Sequence, residues 1–577
     1  MCATCPGQSP LTPGGLRILP EMTFTQSCRR WYAARSEARL AVVGHSVQDN
    51  GGSDVRKHTL LATIVAGLLV CLLGIMALAE ERQVFKMSQM MLDNINPTLL
   101  MGRPGNMQVA SQIYDCLVIR QADTTAGAEI AESWERPDDL TWIFHIREGM
   151  TWQDGNEIWA EGEARSVTAH DVVFALELHK KHSMPLMSTL SHCVEIAALD
   201  DYTVQITTDI PMNRLITGIQ TLNMACIFPP EAATEHENGV DILPIGSGPF
   251  ELQEYVAGSK AVLTKNEDYW IPVKLDEVQQ IVMNDPSARV IAFEAGEVDF
   301  LLQAPTDEGL RLLDLGYTRV GTSGAPYNIG FNTTAAPFDD YRVREGISLL
   351  MDVDMAYNAI LPAELTVRSY GQQGPWNVYN YNPEGLMDFD RFDVDEGLSM
   401  LADAGWTDSN GDGWLDKGGE KLTLRIKTFG GDQVNVLTVL ATQLQQQGID
   451  ATVQVLEVAT FAQDLATGNS DIFFDYMYGN SDGLYALYHS SKIGASNTHF
   501  IADPVLDALL DQAMLLSEAD SGAYWQAVER LAAANRYFIP MWFSLPTNFI
   551  PDYVKDFSSP QGFLELVNVE RNVYLEK

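Results

Sequence analysis

Apolar and polar positions alternate most clearly in "WERPDDLTWIFHIREGMTWQDG", residues 134–155, where Trp142, Phe144 and Ile146 interleave with Ile143, His145 and Arg147. A period of two predicts a half-buried strand with its aromatics in a core, ended by Glu148 and Gly149. The spacing then lengthens. In "SVTAHDVVFALELHKKH", residues 166–182, Val172, Val173, Ala175 and Leu176 form the apolar stripe of a helix, and Thr168 can cap it. "LPIGSGPFEL" at 243–252 reads as a glycine-rich turn entering a strand, and "AVLTKNEDYW" at 261–270 as a strand ending in an aromatic pair. "SARVIAFEAGEVDFLL" predicts a short helix through Phe293, a glycine stop and a strand through Phe300. Residues 341–361 and 393–406 both carry helical spacing. Strand and helix patterns alternate irregularly, which predicts an α/β fold of mixed sheets flanked by helices and argues against a barrel or solenoid.

One run breaks this pattern. "TLLATIVAGLLVCLLGIMALA", residues 59–79, is continuously apolar, preceded by Arg56, Lys57 and His58 and followed by Glu80, Glu81 and Arg82. A basic start, an apolar centre and small Ala77 and Ala79 match an export signal cleaved after Ala79, carried on residues 56–79. An uncleaved anchor is the alternative, because 21 residues also suffice to cross a bilayer; a lipid-anchored Cys71 is a third. Residues 1–79 are therefore set apart as an N-terminal extension with a signal peptide or anchor, and the rest is expected in the periplasm or on the outer face of the cytoplasmic membrane.

Charge narrows the partners. The 37 basic and 77 acidic residues give a formal net charge of −40, so no basic face can be assembled for nucleic acid or anionic lipid. A salty environment, which screens self-repulsion, fits such a composition. Of seven cysteines, Cys2, Cys5, Cys28 and Cys71 lie in or before the export segment. Cys116, Cys193 and Cys226 are too widely spaced for a metal knuckle, leaving one bridge or buried free thiols.

The ordered set "IYDCLV" (113–118), residues 131–155, "VTAHDVVFALE" (167–177), "IGSGPFEL" (245–252), "NEDYW" (266–270), "ARVIAFEAGEVDF" (288–300), "NIGFNTTAAPFDDYRVREGI" (328–347), "LADAGWTDSNGDGWLD" (401–416) and "NTHFIADPVLDALLDQA" (497–513) resembles the extracytoplasmic solute-binding proteins of ABC importers, in the family serving peptides and nickel. The resemblance covers essentially the whole exported part. It implies a two-lobe periplasmic-binding-protein type II fold with an enlarged first lobe: lobe I at 80–324, lobe II at 325–545, and a C-terminal return to lobe I at 546–577. It also implies a monomeric, non-catalytic receptor without cofactors, which holds a peptide or other small solute between the lobes and presents it to the transmembrane subunits of an ABC permease.

Several motifs offer competing chemistry. "GSG" at 246–248 lacks the Gly-Lys-Ser/Thr of a phosphate loop and reads as a tight turn. "GNSDG" at 479–483 has nucleophile-elbow spacing around Ser481, but Asp482 is no base and His489 is too near in sequence. This leaves an extracytoplasmic serine hydrolase as an alternative, beside a sensory or scaffolding cleft protein. Asp408, Asn410, Asp412 and Asp416 occupy calcium-loop offsets, but Gly419 stands where a bidentate glutamate belongs; a turn bonding its own backbone is the other reading. His179, His182 and His192 lack a carboxylate that would complete a metal set.

For solute contact the strongest stretch is "SDIFFDYMYGNSDGLY", residues 470–485. Strand alternation puts Phe473, Asp475 and Met477 on one face and Phe474, Tyr476 and Tyr478 on the other. In peptide-binding relatives an aspartate here pairs with the peptide's α-ammonium; the resemblance places Met477 at that position, so Asp475 would have to replace the salt bridge unless a one-residue slip directs it into the lobe. Phe474, Tyr478 and Asn480 extend the candidate wall. Arg103 and Asn106 in "MGRPGN", Trp376 in "GQQGPWNVYNY", and Tyr327 and Trp542 at the two presumed lobe crossings complete the candidate contacts.

Overall fold

The alternation in residues 141–146 becomes the strand Thr141–Ile146, whose Trp142, Phe144 and Ile146 are buried while Thr141, Ile143 and His145 are half-buried. In this computed structural model, residues 82–577 are described apart from 101–103, 122–124, 184–185, 187–189, 213–214, 221–224, 238, 322–323, 378, 477–480, 559–565 and 569–570. The expected export segment 56–79, Arg103, Met477, Tyr478 and Asn480 lie outside the described residues. Among the described residues no helix is long and apolar enough to cross a membrane.

Thr141–Ile146 sits in a four-stranded antiparallel sheet, between Ala131–Asp138 and Thr203–Thr208, with Cys193–Asp200 beyond. The helix Ala169–His182 follows it, with Asp171 accepting from the backbone N–H and hydroxyl of Thr168 at 2.8 and 3.0 Å. A second four-stranded sheet has the order Val84–Gln89, Glu277–Val282, Lys260–Lys265, Phe250–Val256. The "GSG" turn feeds the last of these strands. A Cβ at Gly246 would lie 2.2 Å from the carbonyl oxygen of Ile113, and the Gly248 N–H donates to that same oxygen at 2.9 Å. The glycines thus let backbone approach the end of the helix Pro104–Ile113, and no anion enters the explanation.

The larger sheet has six strands in the order Thr366–Arg368, Phe538–Ser544, Ala325–Phe331, Ile472–Asp475, Thr423–Phe429, Asp450–Leu456. Two main cores accompany this division. One gathers Phe85, Phe144, Phe250 and Phe300 with the C-terminal Val554, Val573 and Leu575. The other gathers Ile329, Phe331, Leu424, Phe474 and Trp542. Between them Thr318–Val320 pairs with Asn548–Ile550, and Ala325–Phe331 with Phe538–Ser544. The chain therefore enters and leaves the six-stranded sheet side by side.

Two expected elements differ. The helical spacing of 341–361 is realised as two helices, Tyr341–Leu349 and Val353–Ile360, because the Asp352 side chain accepts from the Met355 N–H and starts a new helix. The strand expected through Phe300 shrinks to single bridges, Phe300 to Met87 and Leu301 to Phe549; the chain turns between two partners before a ladder can extend. By contrast, Val394–Asp403 is capped by Asp393 and followed by Gly405 at φ 92°. Cys116, Cys193 and Cys226 are buried free thiols, and burial pushes the Cys193 thiol up to about 12, which makes it a poor nucleophile.

Replacing Gly246 by Ala forces a Cβ into the Ile113 carbonyl and should cost on the order of 3 kcal/mol or more. Chemical unfolding of the variant against the parent protein measures this, and an unchanged midpoint would refute the close approach.

Candidate functional site

The six-stranded sheet carries a row of aromatic side chains where its central strands leave the crossings. Tyr327 and Trp542 are cross-strand partners with ring centroids 5.2 Å apart. Tyr327 meets the edge of Phe474 at 4.9 Å, and Phe474 stacks on Tyr476 at 5.7 Å and 7°. Phe429 closes the row against Tyr476 at 5.0 Å. Phe474 and Trp542 are fully buried and form the backing, while Tyr327, Tyr476 and Phe429 are half-buried. Desolvation raises the Tyr327 and Tyr476 phenols above their ordinary value, so both stay protonated and able to donate. Trp376, also half-buried, packs its ring 5.0 Å from that of Phe543, on the strand that carries Trp542.

Asp475 lies on the opposite face of its strand. It is 3% exposed, so its placement is the inward one. Its Oδ2 accepts from Gln372 Nε2 at 3.1 Å and faces His499 Nε2 at 3.4 Å. The same Gln372 amide donates to the Tyr488 hydroxyl at 3.1 Å, and its oxygen accepts from Asn328 Nδ2 at 2.9 Å. Beneath the loop, Glu529 Oε1 accepts both the Gln372 and Gln373 backbone N–H groups, at 2.6 and 2.9 Å. Both bonds converge on one carboxyl oxygen, an arrangement a protonated acid can satisfy. Burial raises the Glu529 carboxyl to about 8 against these hydrogen bonds, which lower it.

Other candidates engage the protein's own atoms. Asn106 is buried, donating to Asp93 Oδ1 at 2.7 Å and accepting from the Asp93 N–H at 3.1 Å. In the acidic turn, Asp408 accepts from the N–H groups of Gly411 and Gly413 at 2.8 and 3.0 Å, and Asn410 from Asp412 at 2.8 Å. Asp412 accepts from Trp414 at 3.0 Å, and Asp416 accepts from the Ser409 N–H at 3.0 Å and hydroxyl at 2.6 Å. These hydrogen bonds lie within the turn itself, and among the described residues no group of three or more His, Cys, Asp or Glu side chains gathers as a metal set. His489 bonds Ser491 at 2.7 Å and faces Asp511 at 3.2 Å. His179 is buried with Nε2 2.8 Å from the Cys226 carbonyl, and desolvation lowers it to about 4. Gln372, Gln373, Tyr488, His499 and Glu529 were not singled out by pattern: the two glutamines stand in the motif noticed for Trp376, and His499 in "NTHF".

The profile of bacterial extracellular solute-binding proteins, family 5 (middle region), matches residues 126–497. The chain belongs to this family. This solute-binding protein is 27% identical over 460 residues to the oligopeptide-binding protein AppA of Bacillus subtilis (strain 168), covering 74% of the chain and 80% of AppA. It is 24% identical over 455 residues to the nickel-binding periplasmic protein of Escherichia coli (strain K12), covering 75% and 82%. Among solved structures, NikA from Brucella suis in complex with Fe(III)-EDTA matches with a TM-score of 0.70 at 20% identity, over 82% of this chain and 97% of that one. AppA in complex with a nonapeptide matches at 0.66 and 21%, over 86% and 100%. The binding protein accordingly has the two-lobe type II fold that the resemblance implied.

Between pH 4.5 and 8 folded Glu529 holds a proton that the unfolded chain has released, because its ordinary value is 4.5 and its folded value about 8. This contribution to stability is present at low pH and is lost as pH rises through that window. Glu529→Gln keeps the accepting oxygen without the titration, so its thermal midpoint should gain on the parent's as pH rises from 4.5 to 8. Parallel midpoints across the range would disprove the buried proton.

Proposed function

We propose that this protein is the solute-capturing component of an ABC importer, which takes peptides or peptide-like solutes between its two lobes and hands them unreacted to a membrane permease. The observation that carries the reading is the half-exposed aromatic row Tyr327, Tyr476 and Phe429, set beside the paired crossings and backed by Phe474 and Trp542. Flat rings can cover peptide planes and varied side chains alike, while phenol hydroxyls supply directional hydrogen bonds. The AppA structure with a nonapeptide supports this solute class, and the nickel-binding relative supplies the competing one. In this reading lobe I takes residues 80–324 and 546–577, and lobe II 325–545. The two main cores support that division, since Val554, Val573 and Leu575 join the first and Ile329 to Trp542 the second. Export through residues 56–79 and action as a monomer complete the proposal, with Trp376, Arg103, Met477, Tyr478 and Asn480 as further solute contacts.

Mass spectrometry of material released from the natively purified protein is expected to find bound, chemically unchanged peptides. Reproducible turnover that disappears in Ser481→Ala would overturn the receptor reading in favour of a hydrolase, and a nickel chelate would overturn the peptide class. Trp376→Ala should weaken the released solute by about 2 kcal/mol; calorimetry showing unchanged affinity would return Trp376 to a packing role.

A further inference from the structure

The strand Thr423–Phe429 delivers Phe429 to the aromatic row and then turns through Gly430 and Gly431 to Asp432, at the start of the helix Gln433–Gln446. Buried Gln433 pins this turn, its Nε2 donating to the carbonyl oxygens of Phe429 at 3.0 Å and Gly430 at 3.4 Å. Gly431 takes φ 146°, and a Cβ there would run into the Gln433 side-chain oxygen, so the turn needs glycine at this position. Gly430, Gly431 and Asp432 are all exposed. A carboxylate is thus offered to solvent on a fixed piece of backbone, next along the chain from a member of the row.

Two observations locate that carboxylate where a solute must pass. Its Oδ2 accepts the hydroxyl of Thr306, the first residue of the helix Thr306–Asp314; in the division proposed above, Thr306 belongs to lobe I and Asp432 to lobe II. Its charge also reaches the row, because the Tyr327 phenol is raised by burial and raised further by Asp432. No cation of the protein answers it. Among the described residues the side-chain partner of Asp432 is the neutral Thr306 hydroxyl. The basic residues of the adjoining elements are already engaged: Arg425 with Asp450 and Lys427 with Asp464 on the strand, and Arg311 with Glu294 and Glu308 on the Thr306 helix.

A solute seated on the row covers this carboxylate from water. Covering it without a counter-charge is strongly unfavourable, whereas a cation held between the carboxylate and the ring faces gains a charge-assisted hydrogen bond and the attraction of the rings. We infer that Asp432 is the counter-charge for a cationic group of the solute, an ammonium or a guanidinium, lying along the row Tyr327, Tyr476 and Phe429. The inference rests on the peptide-like reading above and deepens it, by making one positive charge a condition of tight binding. Asp475, the acid that strand alternation favoured, is 3% exposed and bonded to Gln372 on the other face of the sheet.

The test crosses solute with protein. A pool of synthetic tetra- to nonapeptides is screened against the purified full chain by native mass spectrometry. In the tightest member each cationic group is then neutralised in turn: the α-amine by acetylation, lysine as Nε-acetyl-lysine, arginine as citrulline. Calorimetry on the parent should find that one of these changes weakens binding by about 30-fold or more, and which one it is distinguishes a terminal ammonium from a side chain. The same change should cost less than about threefold in Asp432→Asn, which keeps an oxygen for the Thr306 hydroxyl. In Asp475→Asn, with circular dichroism matching the parent's, the loss should keep its parental size. Neutralisations that cost the same in Asp432→Asn as in the parent, or that all cost less than about threefold in the parent, would overturn the inference and leave the peptide-like reading standing. A loss that collapses in Asp475→Asn instead would give the role to that acid and overturn it equally. Absence of any bound peptide would overturn the peptide-like reading, and the inference with it.

Discussion

Two antiparallel pairings lying side by side constrain everything else in the molecule. Thr318–Val320 on Asn548–Ile550 and Ala325–Phe331 on Phe538–Ser544 bring distant stretches of chain together, so that the second half is entered and left through neighbouring strands. Because the crossing strands are also antiparallel inner strands of the six-stranded sheet, the start of Ala325–Phe331 and the end of Phe538–Ser544 lie together beside the junction. Tyr327 and Trp542 become cross-strand neighbours for that reason, and the row continues through Phe474 to Tyr476 and Phe429. Leu301 pairs with Phe549 and Phe300 with Met87, which ties the returning strand to the first sheet. Two adjacent connections are also the arrangement about which two packed bodies can rotate while disturbing few contacts.

The strand Ile472–Asp475 shows how a period of two divides labour. Phe474 faces the aromatic row, and Asp475 faces a pocket of buried polar groups. Such groups are tolerated in the interior only when they are bonded or neutral. Gln372 meets this demand by linking Asn328, Asp475 and Tyr488, and Glu529 by accepting two backbone N–H groups on one oxygen. The loop that presents Trp376 is therefore anchored from beneath by hydrogen bonds that lie out of solvent. In a chain with a formal net charge of −40, the Glu529 carboxyl beneath this loop is raised to about 8 by burial, a local effect of desolvation rather than of the acidic surface.

Patterning made the elements legible where local forces dominate. The burial of Trp142, Phe144 and Ile146 followed from alternation, and the cap at Asp393 with the stop at Gly405 from helix-end chemistry. Patterning failed where a local choice competed with a neighbour. Asp352 restarted a helix inside a continuous apolar spacing, and Phe300 and Leu301 were shared between two partners too soon to form a strand. The acidic turn was legible as two alternatives, and Asp408, Asn410, Asp412 and Asp416 hydrogen-bond to nearby main-chain and side-chain groups of the turn.

By itself the sequence determined the periodicities, the caps, the acidic balance and the ordered motifs that carry the family, because each depends on residues close together along the chain. It also determined that Asp475 and Phe474 point to opposite faces. Which face carries the aromatic row and which the buried polar groups was decided only by tertiary structure, since that depends on what packs behind the strand. His499 and Tyr488 approach Asp475 from later in the chain, and Glu529 reaches the Gln372 loop from later still. No spacing rule connects these positions; desolvation does, by requiring each buried charge to find its partner across the folded core.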